Sequence, residues 1–290
     1  MQMLAYSELV ERFIENMVAI DRSKATIVSY RKNLALFEHF LTTKFNGPLF
    51  VNEISTKDID DFAHWLKTDK QYGAESRQNC IYTIRSLYKY AYKREYVDRN
   101  IALGADIVKV SRKEREYLTA EEVDKLINAI DHELISVVIR TLFYTGLRIS
   151  ECVNLTLEAV NFEKKIIFVI GGKGNKDRKI PMSAKLYELL KDYKENQRPN
   201  IDSDYFFATE KTGRISAAHI NRVLGDTVRK LGWKKKVSAH ILRHSFASAL
   251  VANGVHLVNI QKLLGHSSLK TTSVYTHVTM DQLDESVNVL

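Results

Sequence analysis

Cysteine is scarce in this chain, with two among 290 residues, and Cys80 and Cys152 lie far apart without paired or metal-like spacing. They read as buried thiols of a reducing compartment, which argues against a disulfide framework and against a zinc site. No apolar run approaches the length needed to span a bilayer, and residues 1–18 carry acidic side chains where a signal peptide would have a basic head. No membrane association is expected, and a cytoplasmic location is. There is no tandem repeat or low-complexity tract. The glycine-rich stretch Gly171-Gly172-Lys173-Gly174-Asn175-Lys176-Asp177 lacks the Gly-Lys-Ser/Thr ending and following helix of a nucleotide-binding loop, which disfavours ATP.

At 290 residues the chain exceeds a usual single domain, and hydrophobic residues at 45% suffice for two cores. Forty-three Lys and Arg stand against 35 Asp and Glu, a formal charge of +8. That suits an anionic partner, but a merely basic soluble protein would show the same balance.

The first hundred residues read as helices, over 6–17, 23–41, 55–68 and 74–96, because apolar residues recur three and four apart. Ser55 with Asp58 three later has capping-box spacing. In the fourth helix Arg77, Arg85, Lys89 and Lys93 form a basic strip interrupted by Ile81, either a solvated face or a surface for phosphates. Residues 108–116 are polar and charge-dense, as an exposed connector is. A helical domain over 1–107, a linker over 108–117 and a second domain over 118–290 are therefore expected. Thr119 with Glu122 opens the second domain with another capping box, and 164–170 with 178–182 flank one hairpin turn. This second part also holds most of the surplus charge, 27 Lys and Arg against 21 Asp and Glu after residue 110. The fold expected is mainly α with a small antiparallel β-sheet.

Four segments of the second part invite a chemical reading. In Thr145-Gly146-Leu147-Arg148-Ile149-Ser150-Glu151, Gly146 ends one helix and Ser150 is placed to open the next. Arg148, at the bend, is either a surface ion-pair residue or a grip for two phosphate oxygens. Lys173 sits on the glycine-rich turn, where an exposed lysine in a tight turn is the simpler reading. In His240-Ile241-Leu242-Arg243-His244-Ser245-Phe246-Ala247, His240 and Arg243 share a helix face; His240 and His244 have metal-pair spacing but no carboxylate ligand is evident. Last come Leu263-Leu264-Gly265-His266 and Val274-Tyr275-Thr276-His277-Val278, where Tyr275 follows His266 closely and, alone, would pass for core.

Together, in this order, these segments and Gly172-Lys173-Gly174-Asn175-Lys176-Asp177-Arg178 resemble the tyrosine recombinase (phage integrase) family over about 145–278. The preceding helices resemble the family's DNA-binding core-binding domain. The resemblance implies that Arg148 and Arg243 hold the scissile phosphate, that His240 and His266 assist charge and proton handling, and that Lys173 is the general acid. It makes Tyr275 the nucleophile and Glu151 a brace near Arg148. No cofactor and no metal are implied, because the cations would neutralise the charge that a metal otherwise meets. The expected partner is double-stranded DNA with specific sites, bound by a homotetramer or a tetramer with a related recombinase, with accessory proteins possible.

The chain begins directly in core-binding-like helices, so simple sites and an Xer-type two-domain enzyme, or a compact transposon-borne one, are expected. Met280, Leu283, Val287 and Leu290 form an apolar face, which is either folded on its own domain or, as the resemblance implies, donated to a neighbouring protomer. Two alternatives stand beside recombination: a type IB topoisomerase-like enzyme, and a DNA-binding protein without catalysis.

Overall fold

A computed structural model of the chain describes residues 4–110, 116–170, 177–266 and 272. It divides into two compact units, Met1–Lys113 and Glu114–Leu290.

The first unit is built on four helices, α1 (Tyr6–Ala19), α2 (Lys24–Phe45), α3 (Thr56–Thr68) and α4 (Ala74–Lys93). Their apolar stripes meet in a core that includes Tyr6, Phe13, Leu34, Phe37, Phe62, Ile84 and Leu87. Helix α3 starts where the capping-box spacing put it, the Asp58 carboxylate accepting the backbone N–H of Ser55 at 2.8 Å and its hydroxyl at 2.6 Å. Lys44, reaching from α2, donates to the same carboxylate at 2.6 Å, so a nearly buried aspartate keeps its charge satisfied.

The basic strip of α4 is not uniformly solvated. Arg85 turns back to donate from Nη2 to the carbonyl of Ala105 at 2.7 Å, and Gln78 donates to that of Val108 at 2.9 Å. The stretch after α4 is thereby fastened to the helix as far as residue 108. Ile81 is buried, which is why the strip breaks there.

The second unit carries α5 (Ala120–Asn128), α6 (Glu133–Thr145), α7 (Ile149–Val153), a sheet of β1 (Val160–Asn161), β2 (Ile166–Val169) and β3 (Arg178–Pro181), then α8 (Ala184–Asp192), α9 (Ala217–Lys230), α10 (Ala239–Ala252) and α11 (Leu257–Leu264). The sheet is antiparallel in the order β1-β2-β3, with Val169 opposite Arg178 at the base of the expected hairpin. The two-residue strand β1 was not expected; it is too short to show alternation. The Thr119–Glu122 capping box opens α5 with reciprocal bonds of 3.2 and 3.0 Å. Strongly apolar α6 packs on α10, burying Ile135, Val138, Ile139 and Leu142. On α9, Ile220, Leu224 and Val228 face the core while Arg222 and Arg229 stay outside.

Ser150 does not open α7 as expected. Arg148 takes the capping position, and its N–H is met from three residues ahead by the Glu151 carboxylate at 2.8 Å. Cys80 and Cys152 are buried in different units and are not disulfide-bonded. Among the described residues no helix is long and apolar enough to cross a membrane.

Candidate active site

Two helices of the second unit end in left-handed glycines, α6 at Gly146 (φ 62°) and α11 at Gly265 (φ 65°). Such an ending leaves terminal carbonyls without helical partners. At Gly146 space also demands glycine, since a Cβ would lie 2.4 Å from the Phe246 ring and 2.8 Å from Leu264. The chain therefore turns sharply there and presents Arg148 three residues after the end of α6.

Arg243, on α10, closes the two helix ends on each other. Its Nη1 donates to the carbonyl of Gly146 and its Nη2 to that of Leu264, both at 2.6 Å. The residue is only 2% exposed. A buried guanidinium needs such acceptors, and the negative ends of two helix dipoles supply them at short range.

Arg148 is fixed differently. Its Nη1 donates to Glu151 at 2.7 Å, and the same carboxylate receives a second arginine, Arg178 of β3, in a fork with Nη1 at 3.0 Å and Nη2 at 2.7 Å. Burial pushes the Glu151 carboxyl upward, but the hydrogen bonds from Arg178, the Arg148 backbone and the Arg148 guanidinium outweigh it and hold the pKa at about 2. Glu151 is thus ionised at any working pH.

The remaining described residues join through the same helix ends. His266 follows Gly265 and is held by a backbone bond to Gln261 at 3.1 Å, while the Gln261 amide donates back to the His266 carbonyl at 3.0 Å. Its Nδ1 lies 3.0 Å from the hydroxyl of buried Thr272. His240 is exposed one turn before Arg243, its ring meeting that of buried His244 edge-on at 4.3 Å. The structure therefore connects Arg148, Arg243 and His266 through helix ends and places His240 on the same helix as Arg243. Lys173 and Tyr275 lie outside the described residues, as does the apolar face beginning at Met280.

Arg178 was not singled out from the sequence. The signal was present: in a strand alternating with period two, Arg178 lies on the same side as buried Ile180, an unusual place for a cation without a partner. A cavity of about 700 Å³ in this unit, lined by Asp131, His132, Tyr193, Asp226 and Lys230 among others, contains none of the residues above.

Residues 116–282 match the phage integrase family, and residues 10–95 match the N-terminal SAM-like domain of phage integrases. The chain belongs to the phage integrase family, and it is a site-specific recombinase of the tyrosine type. It is similar to tyrosine recombinase XerC of Oceanobacillus iheyensis, 30% identical with 96% of this chain and 93% of the relative aligned. It is also similar to tyrosine recombinase XerA of Pyrococcus furiosus, 33% identical over 97% of this chain and 93% of the relative. The Tn1549 transposon integrase, solved in complex with circular intermediate DNA, shares the fold at a TM-score of 0.81 and 20% identity over 98% of this chain and 99% of that one. A type IB topoisomerase is not favoured by these likenesses.

Proposed function

We propose that the chain cuts and rejoins double-stranded DNA at specific sites through a 3′-phosphotyrosine on Tyr275. The observation that supports this best is the pair of arginines around Gly146. Arg243 is immobilised by two helix ends, and Arg148 is held against a carboxylate with part of its side chain, 26%, still open to solvent. Guanidiniums placed in advance can neutralise the non-bridging oxygens of a phosphodiester without reorganising during the reaction. His240 and His266 complete the set by assisting charge and proton handling.

The phenol oxygen of Tyr275 attacks phosphorus as its proton passes to one of the two histidines, a step the surrounding cations favour because the reference pKa is near 10. The bond from phosphorus to the 5′-oxygen breaks, and Lys173 gives that oxygen a proton. The phosphotyrosine keeps the energy of the broken diester, so attack by the 5′-hydroxyl of a second strand restores a phosphodiester and frees the tyrosine. Two such rounds pass through a four-way junction. No metal or nucleotide cofactor is part of this reading, since the cations do that work.

DNA is the partner in this reading, as circular intermediate DNA is for the Tn1549 integrase. Residues 1–107 are the core-binding domain, 108–117 the linker and 118–290 the catalytic domain. Four copies, or two with two of a related recombinase, assemble on two synapsed sites, with accessory proteins a further component. Dimer resolution and mobile-element integration or excision use the same chemistry. Tyr275→Phe tests the nucleophile: it is expected to bind its site like the wild type and form no covalent adduct on nicked site DNA. An adduct with the phenylalanine variant would assign the nucleophile elsewhere.

A further inference from the structure

Arg178 is the first residue of β3 and stands opposite Val169, the last residue of β2. Its three donor nitrogens are all engaged: Nη1 and Nη2 with Glu151, and Nε with the carbonyl of Leu263 at 2.8 Å. Its aliphatic stem lies against Gly265, where a Cβ would come within 3.0 Å of its Cδ. One side chain thus joins β3, the start of α7 and the end of α11. Along the chain, these lead to Lys173, Arg148 and His266.

Stability gives little reason for this arrangement. Arg178 and Glu151 are each 8% exposed, and a buried ion pair gains about as much from mutual attraction as it loses in desolvation, so a packed apolar pair of similar volume would serve as well. Charge gives a better reason. Glu151 carries one negative charge and touches two guanidiniums. With Arg178 bound to both oxygens, the group of three is left with one positive charge, and the more exposed member, Arg148 at 26%, is where that charge meets solvent. Without Arg178, Glu151 and Arg148 would form a neutral pair, and the guanidinium of Arg148 would be drawn inward to satisfy both carboxylate oxygens.

We infer that Arg178 is a positioning residue for strand cleavage: it occupies Glu151 so that Arg148 remains charged and oriented for the scissile phosphate. It also ties the first residue of β3 to the same carboxylate. The inference rests on the reading of Arg148 as a phosphate ligand given above.

The test compares the full-length wild type with Arg178→Met, Arg178→Lys and Arg148→Ala in single-turnover adduct formation on nicked site DNA. Two substrates are used, one with an ordinary scissile phosphodiester and one in which a neutral methylphosphonate replaces it. DNA binding and the melting transition are followed alongside. Arg178→Met is expected to slow adduct formation about 100-fold on the phosphodiester, the usual scale for a catalytic group displaced by about 1 Å. On the methylphosphonate, which lacks the charge that Arg148 neutralises, its defect should shrink at least about 10-fold. Arg178→Lys keeps the charge but loses the fork, so a smaller loss with the same substrate dependence is expected, and this variant decides the matter if the methionine variant melts early. Equal losses on the two substrates for the Arg178 variants, while Arg148→Ala is relieved by the methylphosphonate, would overturn the inference alone. If Arg148→Ala also loses equally on both, the phosphate-ligand reading fails and the inference falls with it.

Discussion

At the scale of single residues, the second unit handles its cations by supplying acceptors at fixed points. Arg243 has two helix-end carbonyls and Arg178 a carboxylate plus a carbonyl. Glu151 must stay charged for it to hold Arg178 and Arg148. Its carboxyl is held at about 2 against an ordinary value of 4.5, so the folded state favours the ionised form. A lowered carboxyl pKa contributes stability above the unfolded value, and that contribution is lost as pH falls from about 4.5 toward 2. At neutral pH it amounts to at most roughly 3 kcal/mol, reduced by whatever solvent screening reaches the carboxylate. Glu151→Gln should therefore unfold more easily than the wild type above about pH 5, and the gap in urea midpoint should close as pH approaches about 2, where the native side chain is itself becoming neutral. A gap that stays constant over that range would show that the ion pairs do not supply the difference.

At the scale of elements, the site depends on where helices stop and on what fastens them. The first residues of the second unit are secured to α10 by Ser245, whose hydroxyl accepts the N–H of Leu118 at 2.8 Å and donates to the carbonyl of Ile241 at 2.9 Å. Ser245 and Leu118 are both buried, so losing the acceptor would strand a backbone donor away from water. Ser245→Ala is expected to cost about 1–3 kcal/mol in equilibrium unfolding, although Ser245 itself is not assigned to the phosphate. Because α10 also carries His240 and Arg243, the loosened helix should lower the cleavage rate as well. Unchanged stability would mean that the Leu118 N–H finds another acceptor.

At the scale of the whole molecule, recombination requires coordinated cutting of two duplexes, which one copy cannot do. We propose that in a tetramer residues from about Met280 onward would dock on the neighbouring protomer, a head-to-tail arrangement that can close a ring. Truncation before Met280 should leave binding to a single site largely intact while reducing synapsis and recombination, measured by band shift and by exchange between two plasmid-borne sites. A truncated protein whose melting transition collapses in the absence of DNA would instead make the segment part of its own core.

Much of this was legible from residue spacing. Four helices with apolar faces, the capping boxes at Ser55 and Thr119, and the hairpin closed between Val169 and Arg178 follow from local rules that act within a few residues. The family followed from short motifs in a fixed order. The partners of the charged side chains did not, because those contacts span long stretches of chain. Arg243 finds Gly146 97 positions away, and Arg178 finds Glu151 27 away and Leu263 85 away. Nothing local says whether Arg85 faces solvent or turns back to the carbonyl of Ala105, or that Arg148 and not Ser150 caps α7. By itself the sequence determined which elements form and which chemistry they can carry, since propensity, spacing and residue type are properties of neighbours. Only the tertiary structure decided which cations are held inside and which is turned outward, because that depends on acceptors brought together by folding.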